Sequence, residues 1–506
     1  MRSGLRPCFY DAPVRSVFDR PIVLVGLALV CGVAAFHLWI TPSNPPGYHR
    51  DEAALSLNAH TLASGLRDED GARLPLFFRS FDDYKSPLYP YLLAAVFEVT
   101  GAHAQAARGL SAVLVLSAVL LLGLLARRLT GSWPVATVTV VLAGLTPWLF
   151  ELGRLAIEAT MMPVLVVLLL LWLERVSRLR RYGILDGAAA GALVGSIAYS
   201  YTGSRLLGPL LAAALLVFAG QGRWRFVVLA WAAFALALVP MAVYALRHPG
   251  NLTARYEATT IAREGRSGPE VVLQAVANWF RDVDPFHWAT SGDPAPYIHN
   301  GGYGALFGAV VVLAVAGVVL VLSRQRANLW WRYVLLATLL VPIPAALTVD
   351  RHNAIRLAAL PVLLVVLAIP AIDALVQGWR RSRLLQLAAG VLAVSIAVQF
   401  VQFLDVYRTR GPARLVLFDA GVEPLLEGPL AAGETIYVDF DDRGAQAQAR
   451  WRAAEAGLPD DRVVILPDGG VPPRGSLLFL RFQDCDYACE DVARWEDYRL
   501  VRAKGP

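Results

Sequence analysis

Charge is scarce in this sequence. Asp, Glu, Lys and Arg make up 17% of its 506 residues, against about 25% in a soluble domain. Apolar residues take the room, at 56% with a mean hydropathy of +0.50. Low charge and high hydrophobicity exclude a disordered chain, and four cysteines exclude a disulfide-stapled scaffold. Lysine is nearly missing: of 46 basic residues only Lys85 and Lys504 are not arginine, a bias of the kind a GC-rich bacterial genome produces. The net charge of +6 does not argue for nucleic acid, because most of the basic residues fall where membrane topology puts them.

What is present is a series of apolar blocks of roughly 16 to 24 residues, the length that crosses a ~30 Å hydrocarbon core as a helix. They predict about eleven spans, near 21–40, 106–126, 134–152, 156–174, 184–203, 206–220, 226–246, 303–323, 333–349, 356–376 and 384–404. Basic residues mark the cytosolic ends. The N-terminal tail (1–20) carries Arg2, Arg6, Arg15 and Arg20, and clusters then recur at every second loop: Arg127-Arg128, Arg175 to Arg181, Arg223/Arg225, Arg324/Arg326/Arg332 and Arg380/Arg381/Arg383. Counting the 16-residue apolar segment 86–101 as a span would invert this pattern, so it reads as a helix in the outer interface. Residues 21–404 therefore form the membrane domain, with outer loops at about 41–105 and 247–302.

The tail, 405–506, reads as a small extracytoplasmic α/β domain, with short apolar runs TIYVDF, VVILP and SLLFLRF around a helical stretch at 443–458. Cys485 and Cys489 lie in it and are a disulfide candidate on an oxidising face. Cys8 is expected in the cytosol and Cys31 in span packing. Gly187, Gly191 and Gly195 repeat every four residues in the fifth span, which reads as close packing within the bundle.

A transporter would keep ionisable groups at mid-membrane; here the mid-spans are Leu, Val, Ala and Gly. Charged residues gather at the outer ends instead: Asp51, Glu52, Lys85, Arg154, Glu158, Arg205, Asp350, Arg351 and Arg356. That suits an enzyme at the outer membrane surface. Each residue also has a structural reading. Asp51 heads a short amphipathic helix over 52–64 and can be its cap. Lys85 can snorkel. Glu158 can pair with Arg154 four residues earlier on one helix. Arg205 and Arg356 oppose the usual charge bias, through snorkelling or an anionic partner. His287 is weak evidence for a site, and His352 is expected to be exposed.

In order, the motifs are an acidic pair after the first span, K-x-P-L at Lys85, R-x-x-x-E at Arg154, Y-x-Y-x-x-x-R at Arg205, and R-H-x-x-x-R-x-x-x-x-P at Arg351. This set resembles the bacterial branch of the dolichyl-phosphate-mannose–protein mannosyltransferase superfamily, whose relatives include the lipid A aminoarabinose transferases. The resemblance covers about residues 20–375. It implies an all-α polytopic membrane bundle of the C-type glycosyltransferase (GT-C) fold with outer-face juxtamembrane helices. It also implies transfer of a sugar from a polyprenyl phosphate to an acceptor hydroxyl on the extracytoplasmic face of the bacterial inner membrane. Asp51 is then the catalytic carboxylate, with Glu52 beside it. Lys85, Arg154, Arg205 and Arg356 hold the lipid phosphate, and Glu158 is a second acidic site. A divalent metal on Asp51 and Glu158 is left open. The partners implied are a lipid-linked sugar donor, a glycan, lipid or protein acceptor, and membrane lipids, without nucleic acid. A polymerase or ligase using a lipid diphosphate, and a lipid or glycan transporter, are the alternatives.

Overall fold

The computed structural model describes residues 20–505 apart from 82, 221, 263–265, 483–484 and 486–487; Cys8 and most of the N-terminal tail lie outside the described residues. Apolar helices follow one another in the expected order. The first span is Arg20–Leu38 and the second Ala104–Thr130. The third is Trp133–Leu145, restarted at Pro147–Leu152 because Thr146, before a proline, leaves the helical region. The fourth is Met161–Arg178, entered through the single 3-10 turn Glu158–Thr160. Then come Ile184–Ala198, Ser204–Ala214 with Leu216–Ala219, Trp224–Arg247, Gly308–Arg324, Leu329–Leu340 with Ile343–Ala346, Leu360–Gly378 and Arg383–Arg410. Six of the described helices are long and apolar enough to cross a membrane, and the other apolar ones are shorter.

Sequence chemistry sets the ends of these helices. The second span finishes with Arg127 and Arg128 in its last turn and Gly131 in the left-handed region, the usual C-terminal stop. Ser132 then caps the third by accepting a hydrogen bond from the Val135 amide. The fifth-span glycines let the seventh span approach: a Cβ on Gly191 would stand 2.2 Å from the Ala230 carbonyl oxygen. Close packing is therefore their role within this chain. Cys31, expected in packing, is on the exposed side of the first span.

At the end of the bundle opposite the arginine clusters lie two further helices, a cap helix Arg50–Gly65 and an interfacial helix Leu88–Thr100, joined by a ribbon of β1 (Phe78–Ser80) and β2 (Asp83–Lys85). Tyr89, Leu93 and Phe97 bury one face of the interfacial helix, while Val99 stands 86% exposed. It does not cross the bundle.

The last span runs into a small C-terminal domain on this same end. Its sheet has the order β4 (Val463–Ile465), β3 (Ile436–Val438), β5 (Leu477–Arg481), β7 (Tyr498–Gly505), β6 (Ala488–Trp495). β3 is parallel to β4 and β5, and the β6–β7 hairpin adds antiparallel to β5 with Phe479 opposite Leu500. Helix Arg443–Glu455 packs between this sheet and the cap helix. Cys485 and Cys489 form a disulfide, their Cα atoms 6.3 Å apart.

Candidate active site

The site is built on the turn that leaves the first span. Pro42, Pro45 and Pro46 keep this segment out of helix. Gly47, at φ +66°, passes so close to the C-terminal domain that a Cβ there would lie 2.4 Å from the Ala420 Cα. The cap helix then starts with a reciprocal cap: the His49 ring accepts from the Asp51 amide at 3.2 Å, and Glu52 Oε2 accepts from the His49 amide at 3.1 Å.

Glu52 and Asp51 therefore point to different places. Glu52 is 1% exposed. Its Oε1 accepts from Arg108 Nε at 3.0 Å and the Ala156 amide at 2.9 Å, and its Oε2 also accepts from Arg108 Nη2 at 2.8 Å. Arg108 in turn donates to the Pro45 and Gly47 carbonyls. The expectation that Glu52 shares the chemistry is corrected here: its lone pairs are filled, and it fastens the turn to the second span. Asp51 is on the open side, its side chain 36% exposed and 3.8 Å from the His49 ring nitrogen.

Around Asp51 the loops bring cations. Lys85, at the end of β2, lies 3.3 Å from Asp83. Burial acts against its charge, but the fields of Asp51, Asp83 and Glu158 outweigh it and hold the ammonium above its ordinary range. Burial also acts against the Asp51 carboxylate; Lys85 foremost, then His49, Arg50 and Arg255, hold it below the usual carboxylate range. Both groups are thus charged at neutral pH.

Glu158 is buried beside them. It accepts from the Ser86 amide at 2.6 Å, and from the Thr202 amide and hydroxyl at 3.3 and 3.4 Å, tying the segment after Lys85 to the turn between the fifth and sixth spans. Arg205 lies over the Phe77 ring and donates to the Leu252 and Tyr84 carbonyls, with its Nε buried and unpartnered. Arg356 is 8% exposed. It pairs with Asp350 at 2.8 Å, while its Nη1 is buried without a partner and its charge bears on Tyr201.

Arg154 is not brought to this cluster. Residues 153–157 are not helical, so Arg154 and Glu158 are not helical neighbours and form no pair. Instead Arg154 stacks on Phe150 and donates to the carbonyls of Phe36, His37 and Trp39, closing the end of the first span as a cation at a helix C-terminus does. His352 is half-buried rather than exposed and stacks on His287 at 3.4 Å.

Three further residues join the cluster: Arg255 and Tyr297, which the sequence did not single out, and Tyr201, the second tyrosine of the Y-x-Y-x-x-x-R motif. Arg255, on the short helix Ala254–Thr259, bears on Asp51, Tyr201 and Tyr297. Tyr297 stacks flat on His49, with ring centroids 5.2 Å apart. Tyr201 faces Lys85, Glu158 and Arg356. Arg255 had a signal: it is a basic residue in the loop 247–302, which the topology expects to face outward, the same anomaly as at Arg205 and Arg356.

A divalent metal fits this set poorly. Among the described residues no group of three or more His, Cys, Asp or Glu is placed to hold one. Glu158 already accepts hydrogen bonds on both oxygens, and the Lys85 ammonium interacts with Asp51, Asp83 and Glu158.

The helical bundle with its small sheet domain has the C-type glycosyltransferase fold, as its likeness to solved structures shows. The comparisons are specific about which ones it resembles. Residues 84–245 match the family described as dolichyl-phosphate-mannose-protein mannosyltransferase. The fold is similar to the crystal structure of the aminoarabinose transferase ArnT from Cupriavidus metallidurans bound to undecaprenyl phosphate, at a TM-score of 0.63 with 13% identity, covering 96% of this chain and 98% of that one. The apo form of the same protein gives 0.60, 14%, 95% and 98%. The apo oligosaccharyltransferase of Archaeoglobus fulgidus gives 0.52 and 16%, over 86% of this chain and 64% of that one. A search of curated protein sequences finds no match. The resemblance read from the ordered motifs is thus found again in a family match and in the fold.

Proposed function

We propose that this chain is a membrane glycosyltransferase that moves a sugar from a polyprenyl monophosphate to an acceptor hydroxyl on the extracytoplasmic face, with inversion. The observation that carries the reading is the convergence of Asp51 with Lys85, Arg255, Glu158, Tyr201 and Arg356 in an ArnT-like fold. The arginine clusters at the opposite end support the orientation, and the solved ArnT complex with undecaprenyl phosphate supports the lipid class.

The residues divide the work. The donor has its own leaving group, so no general acid is required. Asp51 accepts the proton of the acceptor hydroxyl while that oxygen attacks the anomeric carbon. The bond from that carbon to the phosphate oxygen breaks, and its electron pair stays on the phosphate. Lys85, Arg205, Arg255 and Arg356 neutralise the charge that develops there, strongly because the site is partly dry. Arginine adds a planar fork suited to phosphate. The glycosylated acceptor and the polyprenyl phosphate leave, and Asp51 returns its proton to water. A bound phosphate also draws Lys85 away from Asp51, which makes the carboxylate a stronger base when the donor is in place.

The experiment supplies the purified, reconstituted protein with polyprenyl monophosphate and diphosphate sugars side by side and reads product stereochemistry by NMR. Consumption of a monophosphate donor with inversion is expected. Use of the diphosphate alone, or retention at the anomeric carbon, would overturn the scheme.

A further inference from the structure

The last span is attached unevenly. Near the loop-rich end Phe403 and Tyr407 lock it to Phe150, with ring centroids 5.6 and 5.2 Å away, and Phe403 meets Tyr303 at 5.1 Å. Toward the basic end its apolar stretch is unburied, and a groove of about 900 Å³ opens between it and the first, third and tenth spans. Val141 and Leu145 form one wall; Gly390, Ala393, Ile396 and Phe400 form the other. Trp379, Arg380 and Arg381 stand at its mouth.

We propose that this groove binds an anionic glycerophospholipid of the leaflet on the basic side, with acyl chain in the groove and phosphate on Arg380 and Arg381. Three observations carry the proposal. The groove lies among membrane-spanning helices and its walls are apolar, so water is a poor filling and hydrocarbon a good one. From Ala389 to Phe400 the last span rises about 17 Å at 1.5 Å per residue, close to half of a ~30 Å core. The groove therefore suits a lipid of one leaflet and is too short for a long polyprenyl chain. Its mouth carries two exposed arginines that form no ion pair among the described residues. The nearby acid, Asp373, is held by the Gln377 amide at 2.7 Å. Guanidinium groups suit phosphate, and a tryptophan at the same level suits the headgroup region. The site is separate from the Asp51 cluster and does not depend on the activity proposed above.

The test is native mass spectrometry of the full-length protein released from nanodiscs that contain phosphatidylglycerol, phosphatidylcholine or undecaprenyl phosphate. Wild type is expected to retain phosphatidylglycerol over phosphatidylcholine by about twenty- to thirtyfold, roughly fivefold for each arginine. Arg380→Gln with Arg381→Gln is expected to abolish that preference while still retaining either phospholipid. Gly390→Leu with Ala393→Phe fills the groove, the first with no atom within 4 Å of the added Cβ. It is expected to retain neither lipid while unfolding no earlier than wild type. Equal retention of the two phospholipids by wild type, preferred retention of undecaprenyl phosphate, an unchanged preference without the arginines, or lipid held by the filled variant would each overturn the proposal.

Discussion

Two carboxylates adjacent in sequence, Asp51 and Glu52, open onto two different electrostatic networks. The Glu52 network is closed: four donors from Arg108, His49 and Ala156 fill its two oxygens, about as many as a carboxylate takes. The Asp51 network is open. Among the described residues its carboxylate accepts no hydrogen bond, and the cations that act on it include an exposed arginine, Arg255. Saturation, more than charge or depth, separates a group that holds the fold from a group with capacity left for a substrate. The arginines divide by what holds them: Arg108 and Arg154 are fastened to backbone carbonyls, whereas Arg356 is held by one partly exposed carboxylate, Asp350, and keeps a second nitrogen unpartnered.

Substitutions can break that comparison. The largest stability effect is expected at the closed network. Glu52→Gln leaves Arg108 buried without its counter-charge, which costs about 3–5 kcal/mol. Thermal unfolding in detergent should fall sharply, and an unchanged Tm would mean that Glu52 is no fastener. Lys85→Ala removes the largest charge that depresses Asp51. Asp51 acts as a base only when ionised, so its contribution is lost as pH falls through its pKa. In wild type that fall lies below the ordinary carboxylate range; in the variant it moves to higher pH. Transfer rate against pH should show the variant failing in acid where wild type is still flat, and coincident acid limbs would remove the coupling from the mechanism.

The arginine comparison gives a smaller effect. Arg356→Gln should raise the KM for donor by about tenfold, ~1.4 kcal/mol, with little change in Tm. Arg154→Gln should do the reverse. Equal effects on KM would return Arg154 to the phosphate site. The smallest effect is expected at Gln448 of the C-terminal domain, whose amide donates to the Tyr48 carbonyl at 2.7 Å and to Asp419 at 3.0 Å. Gln448→Ala should cost about 1 kcal/mol, read as a lower Tm with the domain still attached.

The bundle was legible because apolar length and arginine placement each encode it and agree. Asp51, Lys85, Glu158, Arg205 and Arg356 were legible as charges at a membrane rim, where charge needs a reason. Their partners were not. Whether Glu52 is saturated depends on Arg108, 56 residues away, and the fate of Arg154 depends on the carbonyls of Phe36, His37 and Trp39, 115 to 118 residues away. Tyr297 comes to the site by stacking on His49, a pairing between residues far apart in the sequence that spacing does not encode. The β6–β7 hairpin leaves a weak sequence signal because β6 is an exposed edge strand with little apolar alternation.

The most direct test of the account is the single-turnover rate of sugar transfer by Asp51→Asn beside wild type, at matched folded protein in the same membrane. Loss of a general base predicts a fall of about 10²–10⁴-fold with Tm little changed, because the Asp51 carboxylate accepts no hydrogen bond among the described residues and Asp83 and Glu158 still face Lys85. A variant that transfers sugar at the wild-type rate would contradict it.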